Sequence, residues 1–331
     1  KGQVVRLRAR ARREIRSPVD AVLTIFNAKG GYLASNDDAG GPDSLVDYTL
    51  PEDGDFVVAI RDFLRRGGPD YQYRLHITTP PQRLQLTLPE RVRNQSITVA
   101  VPQGNRMAAL VQVSRVGIGG EVQVESTGLP AGVSVASPRL ATDRSRVPVV
   151  FSATAAADPA VTLADLNGVC HRDDQEPMRG ALQQRQLLVA GENNRDMWGY
   201  DDHRVAVAVT QSVPFELNVE VPKAPIVQRG VMKLRINVTR QPGFEAPITL
   251  QSLYMPSGLS GKGSVTLPAK ETSMEYVLNA NDKAQLGQPS LVLLGSTNVE
   301  GARVQTSSSL IPVTVAGPYV SLKRTNTSVL R

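Results

Sequence analysis

Cysteine is almost absent from this chain: among 331 residues the only one is Cys170. One thiol excludes an intrachain disulfide framework and a cysteine-rich metal site. Histidine is nearly as scarce. His76, His171 and His203 stand in separate contexts, and no H-E-x-x-H or H-x-H spacing offers two imidazoles to one metal. G-x-S-x-G and G-x-G-x-x-G are missing too, and Gly261-Lys262-Gly263-Ser264 lacks the spacing of a phosphate loop. Cys170 and His171 are chain neighbours, whereas a nucleophile and its base are normally brought together by the fold, with a third group orienting the base. No catalytic residue and no required cofactor are assigned, and this stretch reads as non-enzymatic. Aromatic content is 5%, with Trp198 the single tryptophan, so the cores must rest on Val, Leu, Ile and Ala. No window approaches ~18 consecutive apolar residues, which excludes a transmembrane helix.

What the chain does have is valine, 27 glycines and 23 prolines at short intervals, the composition of β-structure with many turns. Its length predicts two or three domains. The net charge of +6 is concentrated: residues 1–16 hold seven basic side chains against Glu14, which leaves the remainder neutral. A globally basic surface for nucleic acid is therefore not expected. Within that segment Val5, Leu7, Ala9 and Ala11 alternate with Arg6, Arg8, Arg10 and Arg12. Period two means a strand with one packed and one wet face. The arginines read either as a cationic stripe for an anionic polymer or cell-surface partner, or as a solvated face whose charges discourage edge pairing.

Further strands are expected at 20–26, 31–35, 45–50, 55–62 and 71–77, separated by Gly-, Pro- and Asp-rich turns. Asn36, Asp37, Asp38 and Asp43 put hard oxygens on one short stretch, the ligand type that Ca²⁺ prefers. The same side chains cap turns through nearby backbone. The blocks Ser17-Pro18-Val19-Asp20, Asn36-Asp37-Asp38, Asp43-Ser44, Asp47-Tyr48, Pro51-x-Asp53-Gly54-x-Phe56, Arg61-Asp62 and Gly67-Gly68-Pro69-Asp70-Tyr71-x-Tyr73 occur in this order. Together they resemble the bacterial pre-peptidase C-terminal domain, a small β-sandwich of secreted proteins that often follows a protease domain. The resemblance covers about residues 1–78 and implies a bacterial, secreted or cell-envelope setting, with opening strands that would lie before Lys1. It also raises Ca²⁺, which some related sandwiches bind. Scarcity of cysteine fits such a setting.

Thr78-Thr79-Pro80-Pro81 reads as a linker. Beyond it the chain repeats itself. LVQVSRVGIGGEVQVESTGLPAGVS matches LRINVTRQPGFEAPITLQSLYMPSGLS, and Leu129-Pro130 recurs as Met255-Pro256, 126 residues on. Pro214-Phe215 recurs as Pro318-Tyr319 after only 104, so the first copy holds a surplus of 22 residues, placed between about 160 and 205. That insertion gathers Asp165, Cys170, His171, Asp173, Asp174 and Glu176, then Asn193, Asn194, Trp198, Tyr200 and His203; its His and carboxylates read either as ligands for a transition metal or, as expected here, as a solvated loop. Trp198 and Tyr200 read either as a stacking platform for sugar or peptide or as a pin holding the loop to its sandwich.

The expected architecture is all-β: three β-sandwich modules in series, at 1–79, 82–213 and 214–317, with 318–331 opening a further module. The two repeats resemble immunoglobulin-like modules of large secreted bacterial proteins. The expected role is a non-catalytic extracellular or cell-envelope array for binding, spacing or support, with an extracellular protein or polysaccharide and neighbouring modules as partners. The alternative is the accessory region of a secreted hydrolase, such as a protease, whose catalytic domain precedes residue 1.

Overall fold

The computed structural model describes residues 1–39, 43–89, 97–172, 175–192 and 196–319. Gly40, Gly41 and Pro42, the insertion residues Asp173, Asp174, Asn193 and Asn194, and the segment 320–331 lie outside the described residues. The chain forms two compact units, the first of Lys1–Arg83 with Arg115–Ile118, the second of the remainder. Among the described residues no helix is long and apolar enough to cross a membrane.

The first unit is a sandwich of two three-stranded sheets. Strands β1 (Val4–Arg10), β2 (Ala21–Asn27), β3 (Tyr32–Asn36), β4 (Leu45–Thr49), β5 (Phe56–Asp62) and β6 (Arg74–Thr78) pair in the orders β4-β1-β6 and β3-β2-β5. Leu7, Ala9, Ala11, Val19, Ala21, Leu23, Ile25 and Val46 form the buried core, as the alternation of β1 requires. Tyr48 and Tyr71 pack against it, whereas Tyr73 stays half exposed. One expectation is corrected: β1 is the central strand of its sheet, so its arginines cannot serve to protect an edge. A four-residue helix, α1 (Arg12–Ile15), follows β1.

The second unit holds the two repeats as two sandwiches of the same plan. The first comprises β7 (Arg83–Thr87), β8 (Thr98–Pro102), β9 (Arg106–Val116), β10 (Glu121–Thr127), β11 (Val133–Ala136), β12 (Arg146–Ala153), β13 (Ala160–Arg172), β14 (Gln175–Ala181), β15 (Gln184–Ala190), β16 (Asp196–Asp202) and β17 (Arg204–Thr210). One sheet runs β11-β12-β9-β7 and faces another of order β10-β13-β17-β8, with β14 on β13. The second sandwich comprises β18 (Phe215–Val219), β19 (Ile226–Val227), β20 (Val231–Arg240), β21 (Ile248–Tyr254), β22 (Leu259–Gly261), β23 (Ser264–Leu267), β24 (Ser273–Ala280), β25 (Ser290–Val299), β26 (Ala302–Ser307), β27 (Ile311–Pro312) and β28 (Val315–Ala316). Its sheets are β18-β20-β24-β22 and β23-β21-β25-β26, with β27 on β25 and β19 beside β28. In both copies the opening strand joins one sheet, and the chain then crosses to pair parallel with a closing strand, β8 with β17 and β19 with β28.

The repeat extends to single hydrogen bonds. Pro130 O accepts from Val133 N at 3.1 Å, and Pro256 O from Leu259 N at 3.0 Å. The glycine inside each turn has φ of +77° (Gly132) or +82° (Gly258), a conformation costly for any residue with a Cβ. Gln103 Nε2 donates to Ala157 O at 2.9 Å, and Gln228 Nε2, one residue off the 126-residue register, makes the like bond to Ala284 O at 2.8 Å. The matched sequence positions therefore build the same corner twice.

The insertion differs from the expected loop: 160–205 is mostly strand. In β13, Ala164, Leu166, Gly168 and Cys170 point into the core, and Asp165 and His171 point out. Asp165 and His171, two of the polar residues that suggested a loop, lie on the wet face of a period-two strand. The surplus itself is the β15–β16 hairpin. It fills the chain between β14 and β17, where the other copy passes from β26 to β27 in three residues.

Candidate functional site

The hairpin has a fixed root and exposed apolar residues on both strands beyond it. At the root Leu182 is buried and its N–H donates to Leu166 O at 2.9 Å, while Gln183 N donates to Leu86 O at 2.8 Å. The buried carboxamide of Gln184 accepts from Leu88 N through Oε1 at 2.8 Å. Gly180 permits this closeness, since a Cβ there would lie 2.0 Å from Leu84 O. These bonds tie the hairpin to β7, the task that the sequence left open for Trp198. Trp198 is instead 64% exposed.

Toward the tip Leu188, Val189, Met197, Trp198 and Tyr200 all present large apolar area to solvent. Trp198 stands opposite Val189 across the hairpin, so their side chains share a face. Tyr200 lies two residues along the same strand, about 7 Å away and on that same face. Gly199 between them has no room for a side chain: its Cβ would fall 2.3 Å from Gln186 O. The strand thus spaces two aromatics on a surface outside both cores. Contiguous exposed apolar area of this kind marks interaction sites, and Trp and Tyr are the side chains most enriched at their centres. Leu188, Val189 and Met197 escaped the sequence reading. Their signal was present as Leu-Leu-Val and Met-Trp-Gly-Tyr inside the surplus.

The other sequence candidates have different surroundings. The expected stripe ends with β1 at Arg10, and Arg12 begins α1, but each of its four arginines meets a carboxylate. Arg6 grips Asp47 with Nε and Nη2, both at 2.7 Å, and this bidentate bond raises the affinity of its guanidinium for its proton. Arg8 and Arg10 share Glu14 at 3.2 and 2.7 Å, and Arg12 lies 3.6 Å from Asp20. The stripe is therefore charge-compensated along its length.

The acidic residues divide into separate tasks. Asp43 is 1% exposed, and its Oδ1 accepts from Arg12 N at 2.8 Å and Ala11 N at 3.3 Å, capping α1. Asn36 Oδ1 accepts from Ala39 N at 2.7 Å, while Asp37 and Asp38 are exposed. Among the described residues no three His, Cys, Asp or Glu side chains converge as a metal would require. Asp62 is the acid whose role the sequence hid. It is buried, accepts from Asp20 N at 2.9 Å, and receives Leu64 N, Arg66 N and both arms of the Arg66 guanidinium within 3.1 Å. The Arg66 hydrogen bonds, followed by the Asp20 amide, hold its carboxyl far below the ordinary range.

Cys170 is buried with Sγ 3.2 Å from Gly119 O. His171, the next residue of β13, faces solvent on the opposite side, so thiol and imidazole do not form a pair. His203 places Nδ1 3.4 Å from Leu182 O, at the hairpin root.

No protein-family model matches the chain, and neither does any curated protein. Among solved structures, domains 4–9 of the surface-layer protein SbsC align with 92% of this chain at 11% identity and a TM-score of 0.27. The chain spans 40% of that structure. The D0-D1 domain of intimin aligns with 70% of the chain and 97% of its own length at 7% identity, TM-score 0.22. The fibronectin(III)-like modules of Clostridium thermocellum CbhA align with 73% of the chain and all of their own length at 10% identity, TM-score 0.21.

Proposed function

We propose that this chain is a non-catalytic array of β-sandwich modules from a secreted or cell-envelope bacterial protein, and that its first repeat binds an extracellular polysaccharide or protein through the β15–β16 hairpin. The observation that carries this reading is Trp198: the single tryptophan stands in solvent on a hairpin whose root is fixed by buried hydrogen bonds. A core residue would be elsewhere, and a flexible loop would not be rooted this way. Rigid presentation limits the ordering entropy lost on binding. The sandwich repeats then act as spacers that hold this surface away from their attachment. The test is an array of glycans and extracellular proteins probed with the full chain and with W198A/Y200A. Retention of a ligand by the parent, and its loss in the double variant at unchanged melting temperature, supports the reading. Equal retention by both rejects it.

A second reading concerns the first unit. Its buried polar anchors are Ser17, Asp43, Ser44 and Asp62, four positions of the pre-peptidase-like pattern. This favours a sandwich of that type, and with it an accessory role beside a secreted hydrolase. Determining the gene sequence upstream of Lys1 separates a protease domain from further β-modules.

A further inference from the structure

Where the two repeats of the second unit meet, they leave an open cleft of about 220 Å³. The first repeat contributes Arg139, Arg144 and Arg146 from the segment around the start of β12, and the second contributes Tyr254 at the end of β21 with Gln285 and Gln288 from the approach to β25. Neither module has this set by itself.

The charges do not cancel. Three guanidinium groups face one carboxylate in the lining, Glu121. The Arg139–Glu121 contact is long at 3.9 Å, and both side chains are more than half exposed. Such pairs contribute little and exchange readily. Arg144 lies 3.3 Å from Asp143, itself 64% exposed. Arg146 is exposed and makes no ion pair among the described residues. Arginine is the side chain suited to gripping a carboxylate with two parallel N–H donors.

The neutral groups narrow the ligand further. Burial raises the Tyr254 pKa, although Arg144 opposes the shift, so the phenol stays protonated and can both donate and accept. Gln285 and Gln288 are exposed carboxamides, each carrying donors and an acceptor suited to hydroxyls. Pro148 and Pro289 supply apolar walls. Cationic forks beside hydroxyl-binding amides and an aromatic ring suit a sugar bearing an acid group. The volume is below the ~300 Å³ at which pockets begin to enclose a whole small molecule. It accommodates one unit of a longer chain that continues into solvent at either side.

We propose that the cleft between the two repeats binds a carboxylated sugar unit within an acidic extracellular polysaccharide, with Arg144 and Arg146 holding the carboxylate and Tyr254, Gln285 and Gln288 reading the hydroxyls. This site is separate from the hairpin. The full chain is titrated calorimetrically with tetragalacturonate, with maltotetraose as the neutral probe and a sulfated dextran oligomer as the generic polyanion. Saturable binding of tetragalacturonate, no binding of maltotetraose and at least tenfold weaker binding of the sulfated oligomer are expected. R146A should weaken binding about tenfold and Q288A several-fold at unchanged melting temperature. R235A, on another exposed strand position, should bind as the parent does. W198A/Y200A should also leave this binding intact, which distinguishes failure here from failure of the hairpin reading. No binding of tetragalacturonate, equal binding of the sulfated oligomer, or indifference to R146A would each overturn the proposal.

Discussion

Thr306 Oγ1 lies 2.6 Å from Asn105 Oδ1, joining residues 201 positions apart across the boundary between the two repeats. The Asn105 side chain also donates through Nδ2 to Phe215 O at 2.9 Å, and Arg106 pairs with Glu216 at 2.9 Å. Beside this network Ala108, Val150 and Val292 form a small buried cluster with Leu253 and Leu310. Satisfied buried polar groups fix one arrangement, because any other leaves them unpaired in a low-dielectric setting. The two sandwiches are thereby joined as one body, and the cleft beside the joint has a defined shape.

N105A should loosen that joint. It takes the Asn105 donor from Phe215 O, at a cost of roughly 1–3 kcal/mol for a buried group without its partner, while the Thr306 hydroxyl keeps Arg106 O as its acceptor at 2.8 Å. Calorimetry should show the transition of the second unit broadening or dividing in two. T306V leaves Asn105 Oδ1 with its bond from Arg106 N and should cost only about 1 kcal/mol. Equal effects of the two would contradict this account.

The repeated corner gives an internal comparison. A Cβ on Gly258 would fall 2.3 Å from Ala284 Cα, whereas one on Gly132 would meet Thr154 Oγ1 at 2.9 Å and Ala157 Cβ at 3.0 Å. Both substitutions to alanine incur a left-handed penalty of about 1–2 kcal/mol. G258A must also displace backbone and should cost more, roughly 3–4 kcal/mol. G301A, also at positive φ but with open space around it, should show the conformational penalty without a clash. Urea midpoints would rank the three.

Acid should weaken the first unit through Asp62. Its carboxyl pKa is lowered from an ordinary 3.8 by the Arg66 and Asp20 hydrogen bonds. A depressed folded-state pKa means that the unfolded chain takes up the proton first. The stabilisation is complete above about pH 5, and declines as pH falls below 4 toward the lower folded-state value. Melting temperatures of the parent and D62N should therefore differ most near neutrality and converge between pH 4 and 2. A constant gap would show that Asp62 acts through geometry without linkage to its proton.

Root and tip of the hairpin should respond oppositely. Q184A leaves Leu88 N buried without its acceptor and should cost roughly 1–3 kcal/mol. W198A removes a mostly exposed ring and should change stability by no more than about 0.5 kcal/mol. A large thermal shift in W198A would mean that the ring is structural, and the binding surface would have to be sought elsewhere.

The sequence by itself determined the β-class, nearly every strand of the first unit and the internal repeat with its surplus. These depend on local signals: period-two alternation in Leu7, Ala9 and Ala11, turn residues at fixed offsets, and a motif copied 126 residues apart. It also singled out Trp198 and Tyr200. It did not disclose that β1 is central, that Asp43 caps a helix whose Arg12 N–H lies 31 residues away in the chain, or that Asp62 is the polar hub of its sandwich. Nor did it separate Cys170 from His171, turn the insertion into strands, or bring Arg146 to face Tyr254. Each of those depends on a partner distant in the chain, and a side chain's role follows from that partner more than from its own type. An aspartate is turn former, metal ligand or buried cap according to which amides the fold delivers to it. Only the tertiary structure makes that delivery.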